Sequence, residues 1–146
     1  MITAQPIGQT RACSEAPRPQ PVVFNRARLA VYTLGDSGLE REVMDLFLGQ
    51  IGELLQALHD AHDPKAWHSA THTLKGSAAT VGADAIARAA SDAERMIKWC
   101  ESRKPVWAIT SGDQLALGRD EAESAVRRAV ADFIAEWANV VACIAA

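Results

Sequence analysis

Apolar residues recur along this chain at intervals of three and four, the spacing that gathers them on one face of an α-helix. From Ser37, the positions Val43, Phe47, Ile51, Leu54, Leu55 and Leu58 predict a long amphipathic helix to about His62. Trp67, Ala70, Leu74, Ala78 and Val81 form the apolar stripe of a second helix, from Asp63-Pro64 to about Thr80. Ile86, Ala89, Ala90, Ala93, Met96 and Ile97 predict a third, from Ala83 to about Cys100. Ala122, Val126, Val130, Phe133, Trp137 and Val141, with Ala129 and Val140 beside them, share one face of the last. Strict alternation is absent and alanine is abundant, so no strand is expected.

The punctuation between these stripes agrees with them. Ser37-Gly38-Leu39-Glu40 fits a capping box, with serine and glutamate satisfying free amides at a helix start. Asp63 suits an N-cap and Pro64 a first helical position. Gly82 suits the left-handed residue that ends a helix. A short helix is expected over Asn25–Leu34, with Leu29 and Tyr32 one turn apart, ending near Gly35. Residues 102–110, with Pro105, form a long connection, and the last helix has two compatible starts. One is a cap at Ser111-x-x-Gln114, which leaves Gly118 inside the helix; the other lies beyond Gly118. Pro6, Pro17, Pro19 and Pro21 mark residues 1–22 as a flexible tail. The expected fold is all-α, an antiparallel four-helix bundle over residues 23–146 with a short extra N-terminal helix.

Composition narrows the function. The 146 residues suffice for one domain with a real core, and 49% hydrophobic with 23% charged residues is ordinary for a globular protein. A net charge of −3 offers no basic patch for nucleic acid. Three cysteines without metal or framework spacing favour a reducing compartment. No signal-peptide pattern and no span of about 20 apolar residues is present. A cytoplasmic protein that binds no membrane is the expectation.

The stretch His72-Thr73-Leu74-Lys75-Gly76-Ser77-Ala78 is where chemistry enters. On a helix turning about 100° per residue, Gly76 lies almost directly above His72 and Lys75 one turn along. His68, Ser69 and Ala79 fall on that same face, opposite the apolar stripe. The histidine is thus turned to solvent among small residues that leave room for a docking partner. Continued through Ala79-Thr80-Val81-Gly82-Ala83, the run resembles the signature of histidine-containing phosphotransfer (HPt) domains. Asp36, Phe47 and the Asp63 turn fall where such domains place their first helix junction, second-helix core and interhelical loop. The resemblance covers about residues 24–145; only the connection at 102–110 is longer than in the shortest members.

The resemblance implies that His72 takes a phosphoryl group from a receiver-domain aspartate and passes it to another. Imidazole, whose ordinary pKa is about 6.5, keeps a free nitrogen lone pair at neutral pH. Lys75 would balance phosphate charge, and Gly76 would admit the receiver's acidic pocket. Such domains often carry Gln or Glu on the following helix to orient the ring, here Glu94. Pairing of Glu94 with Arg95 or Lys98 in solvent is the alternative. His68, Ser69 and Ala79 would line the docking face, although a merely solvated His68 is also compatible. The implied partners are response-regulator receiver domains and a hybrid histidine kinase, met by a stand-alone monomer. No Walker-type or glycine-rich nucleotide segment suggests autonomous kinase activity. No cofactor or metal is expected on this chain, Mg2+ being expected on the partner receiver.

Two other classes compete with this one. His59, His62, His68 and His72 suggest a metal-binding bundle, but Ser69 stands where a zincin has glutamate, and no Glu-x-x-His pattern of di-iron bundles is present. A helical adaptor with an unphosphorylated histidine is the other, against which the intact His-x-x-Lys-Gly speaks. His59 and His62 are expected to interact with carbonyls at the end of their helix. Trp67, Trp99, Trp107 and Trp137 are expected to be core or loop anchors.

Overall fold

The computed structural model describes residues 22–102 and 112–145, with backbone alone over 99–102 and 112–117. Its helices are α1 (Arg26–Thr33), α2 (Ser37–Asp60), α3 (Pro64–Val81), α4 (Asp84–Ser102) and α5 (Gly112–Ala145). There is no strand among the described residues. Each long helix packs on the next, and α5 returns to α2, so α2 to α5 close around a single core while α1 lies against α2 and α3. Met44, Leu58, Leu74, Ile86, Val126 and Phe133 are among its fully buried members. Phe133 meets Phe24 and Phe47 edge-on, with ring centroids 5.5 and 5.7 Å apart. This geometry favours aromatic pairs and draws the segment before α1 onto α5.

The helix ends follow local chemistry, with one correction. The start of α2 is capped by Asp36, whose Oδ1 accepts from the Gly38 and Leu39 amides at 2.8 and 3.0 Å. The Ser37–Glu40 capping box therefore does not form. Glu40 instead turns inward, is buried, and accepts from Arg26 Nε and Nη2 at 3.0 and 2.8 Å. Tyr32 is 65% exposed, so Leu29 and not the tyrosine anchors α1. Met44, outside the expected stripe, is fully buried. At α3, Asp63 accepts from the Ala66 amide at 2.8 Å and Pro64 opens the helix, as expected.

Gly82 ends α3 at φ +80°, in the left-handed region. Its carbonyl accepts from the Asn25 amide at 2.7 Å, and a Cβ here would collide with the Asn25 carbonyl. Glycine is thus needed twice over, for the backbone angle and for the clasp with the N-terminal arm. Gly82→Ala should lower the unfolding free energy by at least about 1–2 kcal/mol from the backbone alone. Urea unfolding that matches the parent chain would contradict this account.

Backbone helix already present at Gly112 puts Gly118 inside α5, with the Met96 sulfur beside it. The expected tail, the connection at 103–110, the Ser111–Gln114 cap and the side chains of Trp99 and Trp107 lie outside the described residues. Trp67 and Trp137 are core residues. No helix among the described residues is long and apolar enough to cross a membrane.

Candidate functional site

The orientation of α3 is set by what it buries. Trp67, Ala70, Thr71, Leu74, Ala78 and Val81 face the core, which leaves His68, Ser69, His72 and Gly76 exposed and Ala79 half-buried on the other side. Thr71 is polar but satisfied: its hydroxyl donates to the Trp67 and His68 carbonyls at 2.9 and 3.1 Å. Trp67 Nε1 donates across to the Ala93 carbonyl of α4 at 3.0 Å. The Arg119 guanidinium covers the indole, 5.2 Å from the ring centroid, and also donates to the Ala61 carbonyl. This pin fixes the register of α3 on α4, and the residue after Ala93 is Glu94, which comes to lie beneath the histidines.

Glu94 is the electrostatic centre of the site. Its side chain is 7% exposed, whereas that of His72 above it is 67% exposed. Lys75 Nζ donates to Glu94 Oε2 at 2.6 Å, and Lys98 Nζ to Oε1 at 3.2 Å. His68 Nδ1 lies 3.3 Å from Oε1, and His72 Nδ1 3.9 Å from it. The last separation is beyond a hydrogen bond. In this geometry Glu94 is bonded to Lys75 and Lys98, with His68 rather than His72 as its nearer imidazole. The hydrogen bond from Lys75 is the largest influence on the Glu94 carboxyl; burial opposes it, and Lys98 adds to it. Together they lower its pKa from 4.5 to about 2.

A folded pKa below the unfolded one means that folding favours the ionised form. The contribution of Glu94 is therefore complete above pH 4.5 and is lost as the pH falls toward about 2. With solvent reaching both lysines, it is on the order of 2 kcal/mol. Glu94→Gln should flatten that part of the stability profile in urea titrations at a series of pH values. An unchanged profile would mean the lysines do not hold the carboxylate.

The structure brings His68, His72, Lys75 and Glu94 into one cluster, with Gly76 opening the surface beside it. A Cβ built on Gly76 meets nothing within 4 Å. Lys75, expected to balance phosphate charge, is held by Glu94 in this structure. Sequence reasoning missed the positioning role of Trp67, for which a buried indole N–H in need of an acceptor was the available signal. His59 lies in the last turn of α2, and its Nδ1 is 3.2 Å from Glu123 of α5.

The Hpt domain model matches residues 42–136 of this chain, from within α2 to within α5. This chain belongs to the Hpt domain family. The match encloses the whole His72 cluster. No curated protein and no solved structure matches the chain. Membership of the Hpt family implies phosphotransfer in two-component signalling, in which Hpt domains interact with receiver domains and kinases.

Proposed function

We propose that His72 is the phosphoryl carrier of this Hpt domain, relaying the group between receiver-domain aspartates in a phosphorelay fed by a hybrid histidine kinase. The observation that carries the reading is a solvent-facing imidazole set above a buried carboxylate that holds two lysines. With Nδ1 turned toward Glu94, Nε2 is the nitrogen left for an incoming phosphorus. Its lone pair attacks the acyl phosphate of one receiver; the N–P bond forms as the P–O bond to aspartate breaks, and the carboxylate leaves. The second transfer is the reverse, onto another aspartate. Such transfer requires positioning and charge compensation more than covalent machinery.

The local charge suits it. Ionised Glu94 gathers Lys75 and Lys98 beneath the ring, where Lys75 is within reach of incoming phosphoryl oxygens. Lys75 needs only to turn from Glu94 toward the phosphate, as a flexible point charge. Gly76 admits the receiver, His68, Ser69 and Ala79 line the docking face, and Mg2+ is supplied by the receiver. Small exposed side chains favour a shallow, transient interface. The test is incubation with a panel of phosphorylated receivers. An acid-labile, base-stable label mapping to the peptide that holds His72 supports the reading, and label confined to another residue overturns it.

A further inference from the structure

Along the sequence Glu94 is remote from the histidines, and a metal-free chain is the natural expectation; the fold brings all three residues together. His68 and His72 are one turn apart on the exposed face of a rigid helix, with ring centroids 5.7 Å apart and planes inclined by 31°. Glu94 rises from α4 between them, and both Nδ1 atoms lie nearest the same oxygen, Oε1. One ligand atom from each of the three residues can be chosen so that all lie within 4.8 Å of one another. Metal–ligand bonds of about 2.0–2.2 Å in a tetrahedron separate the ligand atoms by about 3.3–3.6 Å. The Glu94–His68 separation of 3.3 Å is already at that value, and the 3.9 Å to His72 closes by a small rotation of an exposed ring.

We propose that His68, His72 and Glu94 form a binding site for a divalent transition-metal ion such as Zn2+, and that the bound ion silences His72. Two imidazoles and one carboxylate are a borderline donor set that suits Zn2+ and disfavours Mg2+. The fourth position faces solvent and takes water. Lys75 remains on Oε2, while Lys98, with a 61% exposed side chain, gives way at Oε1. The silencing follows from imidazole chemistry. A neutral ring has one N–H and one lone pair. An ion on Nδ1 takes the lone pair and leaves the proton on Nε2, so the nitrogen facing a phosphoryl donor is no longer a nucleophile. This half of the inference rests on the phosphocarrier reading; the site itself does not.

The experiment has two arms. Calorimetric titration of the full chain with Zn2+, without any donor, should show one ion bound and no heat with Mg2+. Ring-nitrogen spectra should shift for His68 and His72 and stay fixed for His59 and His62. His68→Ala and Glu94→Gln should each weaken binding at least about tenfold. No binding, equal affinity in those variants, or ligation by a cysteine or by His59 and His62 would overturn the site. In the second arm the chain is labelled with phosphoramidate, a small donor that needs no receiver. Saturating Zn2+ should cut labelling at least about tenfold, and excess chelator should restore it. Undiminished labelling would overturn the silencing. A chain that binds Zn2+ here yet takes no phosphoryl group under chelation would defeat the carrier reading and leave the site standing.

Discussion

His72→Gln is expected to remove all phosphoryl acceptance from any phosphorylated receiver, with helicity and unfolding midpoint unchanged. The two halves of that expectation have separate causes. Glutamine matches the length and polarity of histidine, but its amide nitrogen has a delocalised lone pair and cannot attack phosphorus. Label should therefore fall to background and not merely decline. Stability should hold because the side chain is 67% exposed and forms no hydrogen bond of its own; Nδ1 stands 3.9 Å from Glu94. Exposed substitutions away from caps and buried partners usually stay within about 0.5 kcal/mol. His68 sharpens the test, since it remains in the variant one turn away and nearer to Glu94. Label that survives and maps to His68 would refute the assignment of His72 as clearly as label that survives in place.

How much of this was legible in the sequence differs between the fold and the site. Helix spans, the Asp63 cap and the left-handed Gly82 are short-range consequences of side-chain spacing and backbone sterics, so the sequence places them within a residue or two. The capping box failed because Asp36 caps the helix one residue earlier, and its carbonyl takes the Glu40 amide that the Ser37 hydroxyl would have used. Asp36 offers a charged acceptor, and a long-range partner, Arg26, holds Glu40 away from the Ser37 amide. Helix periodicity made the site legible only on the helix that carries it, and Glu94 entered through the family resemblance. Periodicity placed His68, His72 and Gly76 on one exposed face. That Glu94 lies under them depends on the register of α4 against α3, which the Trp67–Ala93 hydrogen bond sets across the core. Spacing along the chain contains no record of such a bond. The same limit explains Lys75, whose charge was evident and whose engagement by Glu94 was not.

Gly76→Gln should move stability and activity in opposite directions, and that opposition separates docking from folding. A glycine inside a helix costs about 1 kcal/mol relative to alanine, and glutamine is a good helix former. Where the fold requires glycine, as at Gly82, the angle and the neighbouring carbonyl show it. At Gly76 neither constraint exists: the φ is not in the left-handed region, and an added Cβ meets open space. The variant should therefore be more stable by about 0.5–1 kcal/mol, with a melting temperature raised by a few degrees. Its phosphoryl exchange with a receiver should nonetheless fall at least about tenfold, because the longer side chain stands one turn from His72 where the partner's pocket must come within bonding distance. Labelling by a small donor such as phosphoramidate, which does not dock a protein surface, should be nearly unaffected. If receiver transfer also persists, close approach over Gly76 is not how the partner reaches the histidine. If stability falls instead, the glycine serves the bundle and its place beside His72 is incidental.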